Sequence, residues 1–166
     1  RLKRLFDLVV LVVFAPVWIP VVALAALYVL TTSGRPVLYR QTRVGRDGIV
    51  FRCVKFRTMV PDAEADGRAR LASEDDARAV PALRWLRSTR ADELPQLWNI
   101  ARGEMSLVGP RPERPELVEE IVQRVPGYIR RNELPPGLTG LAQIHGRYDT
   151  DAEYKLGYDL QYLVNW

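Results

Sequence analysis

Two adjacent carboxylates, Asp92 and Glu93, are the residues in this sequence best suited to carry out chemistry. Four arginines lie before and after them along the chain: Arg84, Arg87, Arg90 and Arg111. One carboxylate of such a pair can attack phosphorus while the other holds a divalent cation, and guanidinium groups neutralise phosphate charge. The same pair also suits a plain helix start, because acids are favoured at the positive end of a helix dipole. The spacing alone leaves both interpretations open.

The charge and the counts of cysteine and histidine limit the kinds of partner and of site that the chain can have. The chain of 166 residues has a formal net charge of +4, which suits anionic partners such as phosphates or an acidic membrane face. Cys53 is the single cysteine, so no internal disulfide can form, and we interpret it as a small strand residue. His145 is the single histidine, which excludes metal sites built on His pairs and disfavours His-based triads.

An apolar segment without charge, "LVVLVVFAPVWIPVVALAALYVL", covers residues 8–30. A straight helix of that length would measure about 35 Å, enough to span a bilayer. Both flanks are basic, however, and basic flanks prefer the cytoplasm. Pro16 and Pro20 each remove an amide donor, so a break near Ala15-Pro16 could turn the chain back to the side it came from. A kinked single span and a re-entrant hairpin both fit these residues.

The remaining elements predict an α+β fold with a small antiparallel β-hairpin. Strand-like residues 37–42 and 49–56 are joined by a glycine-containing turn. Helical patterns are listed here in chain order: part of 60–80, then 81–90, 92–102, 115–131 with an interruption at Pro126-Gly127, and 151–166. We expect "MSLVGPRPERP" to be irregular and "LPPGLTG" to be a turn. Some helices should lie amphipathically on the bilayer, with Trp85, Trp98 and Trp166 as candidate interfacial anchors, although Trp98 fits the core equally well.

Several segments resemble the bacterial sugar transferase family, the monotopic phosphoglycosyl transferases. They are "KFRTM", "LRSTRADELPQLWNIARGEMSLVGPRPE" and "PGLTGLAQIHGR", together with "RLFDL" and "GRPVLYRQTRVGRDG" nearer the N-terminus. The resemblance covers essentially the whole chain in order. It implies transfer of a sugar 1-phosphate from a nucleotide diphosphate sugar, by family habit a UDP-sugar, to polyprenol phosphate with release of the nucleoside monophosphate. Such enzymes use Mg²⁺ and begin exopolysaccharide, O-antigen or glycoconjugate assembly.

The resemblance also implies roles for individual residues. Asp92 would attack the sugar-proximal phosphate and form a covalent aspartyl phosphosugar, and Glu93 would help to hold Mg²⁺ on the diphosphate. Residues at matching positions would bind substrate or phosphate: Lys55, Arg87, Arg111 and Arg147, with Gln143 contacting the nucleotide and Asp159 supporting the site. The flanking prolines fix the backbone of Arg111 and so present its guanidinium at low entropic cost.

The resemblance further implies a domain organisation. Residues 1–34 would form a re-entrant membrane hairpin with its break at Pro16 and Pro20, and residues 35–166 a catalytic domain at the cytoplasmic face of the bacterial plasma membrane. The family often carries Ser-Pro at the break, where this chain has Ala15-Pro16. We expect the chain to be the catalytic part of a longer protein, with a homo-dimer left open.

Two rival interpretations belong to other functional classes. "DTD" at 149–151 fits a metal-binding Asp-x-Asp glycosyltransferase, although acids before a helix are usually caps. The charge and the apolar segment also fit a non-enzymatic membrane module that binds anionic lipid or an acidic partner. That second rival leaves the Asp92-Glu93 pair unexplained. Neither the sugar nor the oligomeric state can be assigned from the residues, and we expect no nucleic-acid partner.

Overall fold

The structure is a computed structural model that describes residues 2–60, 63, 76–146 and 151–165. It has the mixed α+β architecture that the sequence predicts. The helices are α1 Leu2–Val13, α2 Ala15–Ser33, α3 Arg84–Ser88, α4 Leu97–Arg102, α5 Pro115–Arg124, α6 Leu141–His145 and α7 Ala152–Asn165. The strands are β1 Leu38–Val44, β2 Val50–Phe56, β3 Ser106–Val108 and β4 Gly137–Thr139. Short 3-10 helices cover Arg46–Gly48, Pro81–Leu83, Ala91–Gln96 and Tyr128–Glu133.

The predicted β-hairpin is confirmed. β1 pairs antiparallel with β2, from Leu38 opposite Phe56 to Val44 opposite Val50. The turn closes through a hydrogen bond from the Gly45 amide to the Ile49 carbonyl, and Asp47 takes a left-handed conformation within it. The buried residues of β2 face the core, where Phe51 and Cys53 pack against Leu97 of α4. The hairpin therefore carries β2, and with it Lys55, against the helix that follows the two carboxylates.

Two expectations about irregular segments are wrong. Residues 106–108 of "MSLVGPRPERP" form β3, and residues 137–139 of "LPPGLTG" form β4, paired in parallel. The backbones cross so closely at Gly109, Gly137 and Gly140 that a Cβ atom at any of them would collide with backbone atoms of another segment. Glycine is therefore required at this crossing, because two backbone segments of the chain lie too close together for a side chain.

The helical predictions are largely confirmed. Residues 81–90 contain a 3-10 turn and α3, and residues 92–102 contain a 3-10 helix and α4, which ends at the left-handed Gly103. The pattern over 115–131 is divided as predicted, because α5 ends at Arg124 and a 3-10 helix begins after Gly127. α7 covers most of 151–166. Most of the segment 60–80 lies outside the described residues.

The apolar N-terminal segment is interrupted at Phe14, between α1 and α2. Pro16 lies in the first turn of α2, and Pro20 lies inside α2 without ending it. The indole N–H of Trp18 donates to the Leu11 carbonyl across the interruption, at 2.8 Å. A helix break frees backbone carbonyls that need a donor in an apolar environment. Trp18 therefore satisfies a carbonyl at the position where a Ser-Pro break would offer a hydroxyl.

Both helices of this segment rest on the globular part of the chain. Asp7 of α1, only 2% exposed, accepts hydrogen bonds from Lys3, the Ser106 hydroxyl and the Leu107 amide. Arg57 donates to the carbonyls of residues 33, 34 and 35, at the C-terminal end of α2. By length and composition alone, α2 is long enough and apolar enough to cross a membrane. The outer sides of both helices are apolar and exposed, whereas Asp7 of α1 and the C-terminal end of α2 make polar contacts with the globular part.

Candidate active site

Asp92 and Glu93 lie in the 3-10 helix Ala91–Gln96, directly after α3. Arg90 takes a left-handed conformation, with φ 58°, and this tight turn re-aims the chain between α3 and the 3-10 helix. The Glu93 amide donates to the Arg90 carbonyl at 3.0 Å. The helix packs against β2, which brings the two carboxylates to the strand that carries Lys55. The acids therefore do open a helix as the sequence predicts, and they also lie beside basic side chains from other elements.

The Glu93 carboxylate, 5% exposed, is bound by two cations. Lys55 Nζ lies 2.8 Å from Glu93 Oε1, and Arg111 Nη2 lies 2.7 Å from the same oxygen. Arg111 Nη1 donates more weakly to Oε2, at 3.3 Å. Burial alone would raise the pKa of Glu93, but the charges and hydrogen bonds of Arg111 and Lys55 outweigh it and hold that pKa well below its usual range. Glu93 is therefore an anion bound by two basic side chains, Lys55 and Arg111.

The Asp92 carboxylate differs from that of Glu93 in its partners and in the direction of its pKa shift. Among the described residues no side chain makes a hydrogen bond or ion pair with its carboxylate. Burial raises the pKa of Asp92, Lys55 opposes the rise and the negative charge of Glu93 adds to it. Arg87 and Arg111 also act on Asp92 by charge, and both lower its pKa. The chain thus places one uncommitted carboxylate beside a neutralised one, which suits a nucleophile.

Lys55 is positioned by a buried side chain that the sequence did not single out. Asn99 of α4 accepts from the Val54 amide at 3.1 Å and donates to the Arg52 carbonyl at 2.8 Å. These groups lie on the edge of β2 away from β1, so the Asn99 amide acts in place of a neighbouring strand. It fixes the backbone on both sides of Cys53, and Val54 directly precedes Lys55. Sequence offers one signal for this role, a polar residue on the inner face of an otherwise apolar helix.

The loop that carries Arg111 is fixed through four consecutive carbonyls. The Pro110 carbonyl accepts from the Gly137 amide at 2.8 Å, and the Glu113 carbonyl accepts from the Val44 amide at 2.9 Å. The two carbonyls between them accept from arginine side chains: Arg111 from Arg131 at 2.9 Å, and Pro112 from Arg43 at 3.1 Å. Because the prolines have no amide hydrogen to donate, the loop depends on these outside donors.

The other predicted residues lie in different surroundings. Gln143 donates to the Leu138 carbonyl of β4 at 3.0 Å, so its predicted nucleotide contact stays a prediction. Asp159 of α7 is buried and ion-paired with Arg131 at 2.8 Å, behind the Arg111 loop, which agrees with a supporting role. A direct contact of Asp159 with substrate stays untested. Arg147 lies outside the described residues, as does Asp149 of "DTD". The Asp151 carboxylate of that motif accepts a hydrogen bond from the Ala152 amide at the start of α7.

The described residues contain no group of three or more His, Cys, Asp or Glu side chains that could hold a metal ion. Mg²⁺ is often bound by one or two carboxylates together with substrate phosphates, so a smaller donor set can suffice. Among the described residues, Glu93 Oε2 accepts only the longer bond from Arg111, and Asp92 is the neighbouring residue in the chain. These adjacent carboxylates fit a cation that arrives with a diphosphate, provided that Lys55 and Arg111 give up part of their contact with the Glu93 carboxylate.

Comparison with known proteins shows which family the chain belongs to. The profile of the family described as bacterial sugar transferase matches residues 1–166, and the chain belongs to that family. The chain is 40% identical, over 169 residues, to the UDP-glucose:undecaprenyl-phosphate glucose-1-phosphate transferase of Klebsiella pneumoniae. It is 38% identical to the UDP-galactose-lipid carrier transferase of Erwinia amylovora and 38% identical to the exopolysaccharide production protein ExoY of Rhizobium meliloti.

The three alignments cover 99% of this chain but different shares of the relatives. The chain spans 36% of the Klebsiella protein and 37% of the Erwinia protein, and 77% of ExoY. The matched region is therefore about a third of the larger relatives and most of the smaller one. All the residues of the candidate site lie within it.

Proposed function

We propose that this chain is a phosphoglycosyl transferase, which moves a sugar 1-phosphate from a UDP-sugar to undecaprenyl or another polyprenol phosphate and releases UMP. The observation that carries the proposal is the Asp92 carboxylate, which no described side chain binds, beside Glu93, with Lys55 and Arg111 in contact with Glu93. The names of the relatives support the substrate classes. They differ in sugar, being named for glucose, galactose and N-acetylgalactosamine, so the proposal covers the class of donor only.

The reaction proceeds in two displacements at one phosphorus. An Asp92 carboxylate oxygen attacks the phosphorus that carries the sugar, and the bond from that phosphorus to the bridging oxygen breaks. UMP leaves with the electron pair, and an aspartyl phosphosugar remains. The phosphate oxygen of polyprenol phosphate then attacks the same phosphorus and expels Asp92. Each displacement brings an anion to a phosphate, so it needs the positive charges of Lys55 and Arg111.

Lys55 and Arg111 are held ready by Glu93 until the diphosphate arrives. Diphosphate oxygens accept from the same donors, so they compete with Glu93 for both cations. Glu93, with Asp92 next to it in the chain, would then hold Mg²⁺, and the ion would supply further charge neutralisation on the diphosphate. We propose Glu93 as the residue that holds the metal.

We also propose that α1 and α2 enter the membrane from the cytoplasmic face and return to it, as initiation of exopolysaccharide or O-antigen assembly on a polyprenol carrier would require. Two contacts support this. Asp7 near the start of α1 and Ser33 at the end of α2 both bind the same globular unit. Trp85 and Trp98 are exposed, at 49% and 62%, and Trp85 lies against Tyr28 of α2 with ring centroids 5.7 Å apart, which suits an interfacial anchor. Trp166 lies outside the described residues.

The test is intact-protein mass spectrometry of the detergent-solubilised chain with Mg²⁺ and a panel of UDP-sugars, without polyprenol phosphate. We expect an adduct of one sugar phosphate on the wild type and none on Asp92→Asn. Asp47→Asn is the matched control, because Asp47 is an exposed aspartate in the hairpin turn, and it should keep the adduct. Omission of Mg²⁺ should abolish the adduct.

Two results would change the proposal. UMP release only after polyprenol phosphate is added, with no adduct, would indicate direct transfer and remove the nucleophile role from Asp92. An absence of both adduct and UMP, with salt-sensitive binding to anionic liposomes, would favour a non-enzymatic membrane module.

A further inference from the structure

Arg131 is the most deeply buried arginine that contacts the loop around Arg111. It is 3% exposed, and each of its three guanidinium nitrogens donates a hydrogen bond. Its Nε donates to Asp159 Oδ2 at 2.8 Å, its Nη1 to the Tyr128 hydroxyl at 2.6 Å, and its Nη2 to the Arg111 carbonyl at 2.9 Å. The Tyr128 ring lies beneath the same guanidinium, with 4.9 Å from Cζ to the ring centroid.

We propose that Arg131 is a positioning residue for the transfer reaction, held by Asp159 and Tyr128, which sets the place of Arg111 by holding the Arg111 backbone carbonyl. This inference rests on the proposed function. It assigns to Arg131 and Tyr128 a role in the site although neither touches the dyad. It also gives α7 a part in the site, because Asp159 connects that helix to the Arg111 loop.

The geometry requires an arginine at this position. Burying a charge is costly unless it is paired and fully hydrogen-bonded, and Asp159 supplies the counter-charge. Only the planar guanidinium fork can reach a carboxylate, a hydroxyl and a backbone carbonyl at once, whereas an ammonium group is a single point. Arg131 supplies the hydrogen bond that the Arg111 carbonyl accepts in the structure. A loss of the Arg131 contact therefore shifts the Arg111 backbone and, with it, the guanidinium bound to Glu93.

The test substitutes Arg131→Lys, which keeps the charge opposite Asp159 and loses the fork. We expect kcat/KM for the UDP-sugar to fall about tenfold to a hundredfold, since small displacements of positioning groups can cost that much. The matched control is Arg130→Lys at the neighbouring position, where Arg130 is exposed and forms a surface ion pair with Glu133. That control should change kcat/KM less than about twofold.

A double-mutant cycle separates positioning from general loss of structure. If Arg131 acts through Arg111, Arg131→Lys should cost less than about twofold in an Arg111→Ala background, where Arg111 is already absent. An equal loss in both backgrounds would overturn the proposal. Should Arg131→Lys fail to fold, Tyr128→Phe takes its place, because it removes only the hydroxyl that Arg131 contacts. The same cycle applies to it, with a smaller effect expected.

Hydrogen exchange of the peptide covering residues 106–114 gives a measure that does not depend on turnover. Exchange there should be faster in Arg131→Lys than in the wild type and unchanged in Arg130→Lys, and equal exchange in all three would also overturn the proposal. If the wild type turns over none of the UDP-sugars, the proposed function fails. The double-mutant cycle is then measured on the binding of inorganic pyrophosphate. Coupling to Arg111 in that binding would keep Arg131 as the residue that positions an anion ligand, and additivity would refute it.

Discussion

Asp92 and Glu93 are neighbours in the chain, yet their carboxylates differ in both partners and pKa. Glu93 is held by Lys55 and Arg111, and its pKa lies well below the usual range. Asp92 has no such partner among the described residues, and its pKa is raised. A pair of acids with pKa values pushed apart is the usual sign of divided roles. Here the difference supports the proposal that Asp92 attacks the phosphorus and that Glu93 holds the cations.

A pH dependence follows from the raised pKa of Asp92. A raised pKa keeps the proton on Asp92 at pH values where an ordinary aspartate, with a pKa of about 3.9, is already ionised. Only the ionised carboxylate attacks, so adduct formation should decline as the pH falls through a midpoint above about 4. Quenched-flow measurement of the adduct against pH tests this. A midpoint at or below that of an ordinary aspartate would contradict it.

Some residue roles could be predicted and others could not. The dyad and Arg111 stand in distinctive surroundings in the sequence, and the structure brings Glu93 and Arg111 into contact. Arg130 and Arg131 are adjacent residues of the same type, so the sequence does not distinguish them. Arg130 nevertheless lies on the surface, whereas Arg131 is buried and ion-paired with Asp159. Tertiary packing alone decides between them, so no local pattern could have selected Arg131.

At the scale of elements, the crossing of β3 and β4 holds the loop around Arg111. Gly109→Ala should destabilise the fold by more than about 2 kcal/mol, because a Cβ there forces backbone segments apart. Gly157→Ala is the matched control: Gly157 lies in α7 with open space around it, so alanine should stabilise the helix by about 0.5–1 kcal/mol. Thermal unfolding followed by tryptophan fluorescence compares the two. Equal stability of both variants would show that the crossing tolerates separation.

The crossing also shows why part of the fold escapes sequence patterns. The hairpin and the longer helices follow from local periodicity and turn residues. β3 and β4 are three residues long, too short for any alternation, and they pair across about thirty positions of chain. Their glycines and prolines are typical of loops, and only the close approach of the two backbones explains why glycine is needed.

The break between α1 and α2 depends on Trp18, whose indole N–H binds the Leu11 carbonyl. Trp18→Phe should keep most of the packing against Leu11 and lose this donor. We expect it to destabilise the protein by about 1 kcal/mol, since a carbonyl freed by the break is left unsatisfied. Denaturation in detergent measures this change. Trp98→Phe is the control, because Trp98 is exposed and donates no hydrogen bond to the described residues, and a similar loss there would remove any special role for Trp18.

At the scale of the whole molecule, α1 and α2 expose apolar faces, and polar contacts with the globular part lie at the start of α1 and the end of α2. Lys3, Arg4 and Asp7 bind the globular part at the start of α1, and Arg57 binds the end of α2. A straight span would separate these two ends by about 35 Å. A hairpin that inserts only its apolar part keeps every one of these charges out of the hydrocarbon, where they would be costly.

Site-directed labelling distinguishes insertion from spanning. Cys53 is the single native cysteine and is buried, so cysteines introduced by Leu2→Cys and Thr31→Cys, both exposed positions flanking the apolar segment, can be labelled selectively in a Cys53→Ser background. A membrane-impermeant maleimide should label both in inside-out vesicles and neither in spheroplasts, with Glu120→Cys on the surface of α5 as the reference for the catalytic side. Labelling of the two positions from opposite sides would mean that the chain spans the bilayer. In that case Asp7 and Ser106 could not remain in contact while α2 kept its own contacts, so the anchoring of both helices on one unit would have to be abandoned together with the re-entrant hairpin.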